Sequence, residues 1–388
     1  MNARLLKGIF VFLILAVSAV AGPRDAQWAQ VEEAVQKGLP KTAIRQLEPI
    51  VAGALADKSY AEATKAIARK IALEGSIQGE KAEEKIVRFE AELKMTPAAM
   101  KPAMEVILAH WYWQYFEQNR GRFLQRTAVT SGSGSDIQTW DLGRILAEVD
   151  HHFTAALADE ATLKATLIGD YDDLLTKGSV PDSYRPTLFD FFAAEALKFY
   201  QAGEHAQTVD DDEFEVRADS PIFSDVREFI NWQPASNNNT SPELNAIRLY
   251  QTLLKFHEND ANRDAFFDAD LARITYGNNI ATGDDKPIRY QSALEHLAET
   301  AAGHEISAQS LAALAELLFQ DKQPAQAHAV ALRGRTAFPD SVGGLQCANL
   351  IQRIEAKSAQ LRTEQVWNAP WPIRTPANTA SSRINHLR

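Results

Sequence analysis

The spacing of apolar side chains is the feature that most constrains how this chain can fold. Over most of its length, apolar residues recur at intervals of three and four, and clusters of Gly, Pro and Asn interrupt the runs. This spacing places the apolar side chains on one face of an α-helix. Few segments alternate apolar and polar residues as a half-buried strand would. The sequence therefore predicts an all-α protein.

The most regular unit of this pattern is the segment "SLAALAELLFQDKQPAQAHAVALRGRTAFPDS". Its residues match the offsets of a tetratricopeptide helix hairpin at Leu314, Ala315, Leu318, Ala327, Ala331, Gly334 and Pro339. The small residues let two antiparallel helices approach closely, and the proline ends the second helix. A weaker copy, "QWAQVEEAVQKGLPKTAIRQLEPIVAGAL", lies near the N-terminus. We therefore predict an irregular array of helical hairpins that is tetratricopeptide-like at both ends.

The same spacing predicts five longer helices between the two repeat-like ends. They cover about residues 84–93, 100–117, 140–157, 186–200 and 242–257. The breaks between the helices divide the chain only loosely, so we interpret residues 22–366 as one continuous helical region. Residues 367–388 are rich in Pro, Asn, Ser and Arg, which predicts a disordered tail.

The first residues carry the pattern of a secretory signal peptide. Arg4 and Lys7 precede an apolar run at residues 9–17, and the small-residue sequence Ala-Val-Ala follows at residues 19–21. We predict removal of residues 1–21 and export of the mature protein to the periplasm or the extracellular space. An uncleaved signal would leave the protein associated with the membrane, although the apolar run is short for a spanning helix. No other segment is predicted to span a bilayer.

Charge and cysteine content exclude two further kinds of interaction. The chain has 51 acidic and 40 basic residues and a net charge of -11, so its surface should repel nucleic acid and anionic lipid. Nucleic acid is therefore not an expected partner. The single cysteine, Cys347, cannot form a disulfide within the chain, and we expect it to be a small buried apolar residue.

One stretch, "HWYWQYFEQNRGRFLQRT" at residues 110–127, places five aromatic side chains ahead of three arginines. We predict that Trp111 and Tyr115 lie in the core, because a helix that is apolar nearly all round is normally buried. The alternative is an aromatic platform for a glycan or a peptide, with Trp113 as the most exposed ring. In that alternative, a carboxylate or phosphate of the ligand is held by Arg120, Arg122 and Arg126.

Residues 260–271, "DANRDAFFDADL", resemble half of a calcium-binding loop. Oxygen-bearing side chains occupy the first, third, fifth and ninth ligand positions, at Asp260, Asn262, Asp264 and Asp268. Ala265 stands where the sharp turn requires Gly, and Leu271 stands where a bidentate Glu is required. We therefore interpret this segment as a solvated acidic loop that caps the next helix.

No recognisable catalytic or metal-binding motif appears in the sequence. There is no GxSxG, P-loop, dinucleotide-binding or HExxH pattern. Adjacent side chains on a helix diverge by about 100°, so His151 and His152 cannot bind one ion together. If the chain were an enzyme, the nearest candidates would be His110, Tyr112 and His151. We predict a protein that is not an enzyme and that has no cofactor and no metal.

Five helical segments carry a family resemblance. They are "MKPAMEVILAHWYWQYFEQNRGRFLQRT", "TWDLGRILAEVDHHFTAAL", "PDSYRPTLFDFFAAEALKFY", "IRLYQTLLKFHEND" and "GLQCANLIQRIEAKSAQLRTEQVWNAPWP". Together they resemble the helical N-terminal region of large, secreted bacterial proteins of the alpha-2-macroglobulin family. In that family the region precedes β-sandwich macroglobulin domains. The resemblance implies a full protein that traps or inhibits proteases, in some members through a thioester within a Cys-Gly-Glu-Gln motif.

The chain departs from that family at two points. Cys347 is followed by Ala348 and Asn349, so it is not a thioester cysteine, and no β-sandwich pattern follows Pro372. The resemblance therefore implies a truncated, non-enzymatic helical portion whose family role of endopeptidase inhibition this chain would not perform alone. The alternative is a free-standing exported helical-repeat scaffold that binds a peptide, a glycan or a protein partner.

Overall fold

A computed structural model of the protein describes residues 22–77, 79, 82–125, 136–178, 180–202, 214–234 and 241–356. These residues contain sixteen α-helices and no β-strand, which confirms the all-α prediction. The predicted signal peptide, residues 1–21, and the predicted tail, residues 367–388, lie outside the described residues. No helix within the described ranges is both long and apolar enough to cross a membrane.

The helices follow one another along the chain, and most of the connections between them are short. In order they are α1 (Asp25–Gln36), α2 (Pro40–Ala56), α3 (Tyr60–Ile77), α4 (Ala82–Met95), α5 (Lys101–Gln118), α6 (Arg120–Gln125), α7 (Leu142–Leu157), α8 (Glu160–Ala165), α9 (Leu188–Tyr200), α10 (Val226–Asn231), α11 (Pro242–His257), α12 (Asp264–Ile280), α13 (Lys286–Thr300), α14 (Ile306–Gln320), α15 (Pro324–Ala337) and α16 (Val342–Glu355).

The described residues divide into two compact units. Unit 1 holds α1 to α6 together with residues 171–175, and unit 2 holds α7 to α16. Each unit has its own buried apolar residues.

Unit 1 begins with the weaker of the two predicted hairpins. Its core contains Val31, Ala34, Ala43, Leu47, Ile50 and Ala66, and Trp28 packs against this cluster. The turn between α1 and α2 depends on Gly38, which has a φ of +66°. A residue with a side chain is strained in this left-handed conformation, whereas glycine adopts it freely. The backbone N–H of Gly38 donates to the carbonyl of Val35 and so closes the end of α1.

Unit 2 ends with the hairpin that the sequence predicts most clearly. Ala315, Ala327 and Ala331 are fully buried, as the repeat pattern requires. A Cβ atom added at Gly334 would lie 2.6 Å from the sulfur of Cys347, so α15 and α16 approach as closely as the small residues allow. Cys347 is buried, as expected, and burial raises the pKa of its thiol to about 11.

The longer predicted helices occur close to their expected positions. Helix α11 spans Pro242–His257, the same residues as the prediction. Helix α9 begins at Leu188, two residues after the predicted start. The difference arises because Thr187 and Asp190 form a capping box, so the chain enters the helix at the threonine rather than at Pro186.

Candidate functional site

The aromatic stretch forms the end of α5 in unit 1, and most of its rings are buried. Tyr112, Tyr115 and Phe116 are withdrawn from solvent, which confirms the core prediction for Tyr115. The prediction for Trp111 was wrong, because this ring is only half-buried. It packs against Phe89 with ring centroids 4.7 Å apart. Because α5 is apolar nearly all round, its spacing did not reveal which ring would face the interior.

Tyr112 takes the deep position that Trp111 was expected to fill. Its ring stacks on Trp140 with centroids 5.7 Å apart, and its hydroxyl donates a hydrogen bond to a carboxylate oxygen of Glu90. The polar tip of the buried tyrosine is therefore satisfied within unit 1. These contacts assign Tyr112 a packing role.

The residues of the proposed aromatic platform lie in different environments. Trp113 is half-buried, and its ring stacks on His110 at a centroid distance of 6.5 Å. Arg122 donates to the Tyr115 hydroxyl at 2.9 Å and lies over the Phe123 ring, so it supports the packing of α6 on α5. Arg120 is exposed, whereas Arg126 lies outside the described residues. The platform therefore stays a prediction.

A cavity of about 360 Å³, partly open to solvent, lies in unit 2. Its walls come from Tyr184 and Arg185, from one face each of α9, α11 and α12, and from Gln309 of α14. The apolar part of the wall consists of Ala194, Leu197, Leu253, Ala265, Ala269, Leu271 and Ala272. Cavities of this size and composition are typical of sites for small molecules. We call it the unit 2 cavity.

A buried imidazole at the wall of this cavity is held between two carboxylates. His257 Nε2 lies 2.7 Å from Asp190 Oδ1, and His257 Nδ1 lies 2.7 Å from Asp260 Oδ2. Burial by itself would lower the pKa of the imidazole, but the hydrogen bonds and charges of the two aspartates raise it overall. The protonated ring then donates from both nitrogens.

The same Asp190 also caps α9, which fixes its position. Its Oδ2 accepts hydrogen bonds from the backbone N–H of Thr187 at 2.9 Å and from the Thr187 hydroxyl at 2.8 Å. One carboxylate therefore joins the start of α9 to the end of α11 through His257. This arrangement holds two walls of the unit 2 cavity together.

Two oppositely charged side chains of the cavity wall are not in direct contact with a partner. Among the described residues, neither the side chain of Arg185 nor that of Asp268 forms a hydrogen bond or an ion pair. Burial raises the pKa of the Asp268 carboxyl, the charge of Arg185 partly offsets this, and the charge of Asp190 adds to it. Both residues are partly buried, at the wall of the cavity. Both side chains are therefore available to a ligand.

Tyr276 adds a third polar group at the same wall. The residue is 2% exposed, and its hydroxyl has no hydrogen-bond partner among the described residues. Its ring lies 5.7 Å from that of Tyr250, whose hydroxyl accepts a hydrogen bond from Gln201 at 2.9 Å. A buried hydroxyl without a partner costs about 1–3 kcal/mol. A ligand that reaches Tyr276 would remove this penalty.

The sequence reasoning missed this site and misassigned one of its residues. Asp264 and Asp268 do not belong to a solvated loop, because both lie within α12. Asp264 instead contacts His304, and Asp260 contacts His257. One signal could have indicated the site: Asp190 and His257 interrupt apolar helical runs at positions that the helical period assigns to the buried face.

No protein-family model, curated protein or solved structure matches this chain. The resemblance to the alpha-2-macroglobulin family therefore depends on the quoted sequence segments and stays a prediction.

Proposed function

We propose that this protein is a non-enzymatic helical scaffold that binds a small polar ligand in the unit 2 cavity. One observation carries the proposal: the side chains of Arg185, Asp268 and Tyr276 line one cavity and form no hydrogen bond or ion pair with the described residues. The cavity also has apolar walls and a volume of about 360 Å³, which suits a small molecule. The sequence analysis expected the helical-repeat scaffold to bind a peptide, a glycan or a protein, and the proposal restricts the ligand to a small molecule.

The state of His257 supports binding rather than catalysis. Both of its ring nitrogens are engaged by carboxylates. A general base needs a free nitrogen that can accept a proton from the substrate. The imidazole is also favoured in its protonated form, because Asp190 and Asp260 raise its pKa despite the effect of burial. His257 therefore serves to position the cavity wall.

A thermal-stability screen tests the proposal. The purified protein is melted in the presence of amino acids, sugars and short peptides, each at high concentration. A ligand present at 100 times its dissociation constant should stabilise the folded state by about 2.7 kcal/mol. Arg185→Gln should abolish the shift that the ligand produces. Arg333→Gln, which changes an exposed arginine of α15, should retain it and serves as the matched control.

The proposal is contradicted if no compound raises the melting temperature of the protein. It is also contradicted if a compound stabilises the Arg185→Gln and Asp268→Asn variants as much as it stabilises the parent. The second outcome would place the binding site elsewhere.

Export of the mature chain and the family role in protease inhibition stay separate predictions. Detection of the processed protein in the periplasm or the medium tests the first, and a protease-inhibition assay tests the second.

A further inference from the structure

The chemistry of the unit 2 cavity also indicates which class of ligand fits it, and this inference rests on the proposed function. Arg185 and Asp268 are near enough for the arginine charge to favour ionisation of the carboxyl. They nevertheless form no direct ion pair. Two opposite charges that interact across a gap can be bridged by a molecule that carries a negative and a positive group of its own.

The other charged side chains at the cavity already have partners. Lys198 pairs with Glu195 at 2.5 Å, and Asp190 pairs with His257. The wall therefore offers one positive and one negative charge to a ligand. A simple anion would leave Asp268 unmatched, and a simple cation would leave Arg185 unmatched. A neutral sugar would form hydrogen bonds but would compensate neither charge.

The rest of the wall suits an apolar group. Ala265, Ala269 and Ala272 present small side chains of α12 to the cavity, and Leu197 and Leu253 face it from α9 and α11. The alanines leave space that a branched or aromatic side chain could fill. A volume of about 360 Å³ also limits the ligand to a small molecule.

We propose that the unit 2 cavity binds a free α-amino acid with an apolar side chain, its carboxylate on Arg185 and its ammonium group on Asp268. Both charges of such a ligand are attached to one carbon atom, so a compact molecule bridges the gap. A peptide separates the two charges by about 3.3–3.6 Å for each added residue and would need a longer site. Tyr276 supplies a further hydroxyl to the bound ligand.

Isothermal titration calorimetry with matched ligands tests this inference on the unaltered protein. The probes are L-leucine and L-phenylalanine, together with N-acetyl-L-leucine, which lacks the positive charge, and L-leucinamide, which lacks the negative charge. L-leucyl-L-leucine represents the peptide, and glucose represents the sugar. A free amino acid should bind, and blocking either of its charges should weaken binding by at least about tenfold.

Two variants connect each charge of the ligand with one residue. Asp268→Asn should weaken binding of the amino acid and remove the difference between L-leucine and N-acetyl-L-leucine. Arg185→Gln should remove the difference between L-leucine and L-leucinamide. Arg333→Gln should behave as the unaltered protein. If either cavity variant fails to fold, the blocked ligands on the unaltered protein still decide the question.

The possible outcomes separate this inference from the proposed function. If glucose, leucyl-leucine or a blocked leucine binds at least as well as the free amino acids, the amino-acid inference is overturned. The proposed function then stands, provided that Arg185→Gln abolishes the binding. If no small polar molecule binds at all, both fail. Tighter binding of a free amino acid than of all its blocked forms supports both.

Discussion

At the scale of single residues, His257 shows how burial and charge compete. Burial disfavours the charged ring, yet the contacts with Asp190 and Asp260 raise its pKa overall. Because Asp260 is exposed and Asp190 is buried, the outer aspartate can be changed with less disturbance of the core. The pKa of His257 is therefore a direct test of this arrangement.

We predict that NMR titration will place the pKa of His257 above about 6.5, the value for a solvated histidine. Asp260→Asn should lower this pKa, because one of the two carboxylates that stabilise the protonated ring is removed. Asp284→Asn, which changes an exposed aspartate of unit 2, should leave it unchanged. A His257 pKa at or below the solvated value would contradict the assignment.

The raised pKa also predicts how stability depends on pH. Folding raises the pKa of His257, so its protonated ring stabilises the folded state. This stabilisation is complete below about pH 6.5, the pKa in the unfolded chain, and is lost as the pH rises through the pKa in the folded protein. Urea unfolding of the parent and of Asp260→Asn at several pH values measures this loss of stabilisation. The difference in unfolding free energy between the two proteins should be larger at about pH 6 than at about pH 9. If the difference in unfolding free energy instead increases with pH, the pKa of His257 is not raised by folding.

The aromatic rings of α5 provide a second test at this scale. Trp111 is half-buried, whereas Tyr115 is 3% exposed. Tyr115→Ala should lower the unfolding free energy by about 3–5 kcal/mol, the usual range for a buried aromatic residue, and Trp111→Ala should lower it by less, because part of its ring stays in solvent. Urea melts of the two variants measure both values. A larger loss for Trp111→Ala would show that its ring is the buried one.

At the scale of elements, the start of α9 depends on the capping box of Thr187 and Asp190. Thr187→Ala removes the cap and one of the groups that hold Asp190 in place, so it should lower the unfolding free energy by about 1–2 kcal/mol. Thr187→Ser keeps the hydroxyl and should retain most of that stability. Urea melts of the parent and both variants measure the effect. Equal losses for the two substitutions would exclude a role for the hydroxyl.

The contact between α15 and α16 gives a prediction in which packing opposes helix propensity. Alanine is the better helix former by about 1 kcal/mol, but a Cβ atom at Gly334 would lie 2.6 Å from the Cys347 sulfur. Gly334→Ala should therefore destabilise the protein by about 1–3 kcal/mol. Gly121→Ala, in α6, meets no atom within 4 Å and is the matched control. It should be neutral or stabilising in the same thermal melt.

At the scale of the whole molecule, the two units are expected to respond differently to a ligand. Hydrogen exchange measured with and without L-leucine should show slower exchange in α9, α11 and α12, the helices that form the unit 2 cavity. Helices α1 to α5 should exchange at unchanged rates. Protection confined to unit 1 would place the ligand site near the aromatic stretch instead.

The sequence by itself determined the all-α class and the approximate positions of the longer predicted helices. Helical hydrogen bonds join residues four positions apart, so a spacing of three and four along the chain reports directly on the helix and on its buried face. The approximate bounds predicted for α11 therefore agree with the structure, and the buried positions of Ala327, Ala331 and Gly334 followed from the repeat pattern. A local signal was sufficient because each of these structures is local.

Only the tertiary structure decided the candidate site. Arg185 and Asp268 are far apart in the sequence and line the same cavity only because α12 packs beside the turn before α9. The same holds for Asp190 and His257, which meet because α9 and α11 pack together. Local spacing shows that a helical face is buried, but it does not show which other helix covers that face. Long-range packing therefore decided which polar groups meet and which remain without a partner.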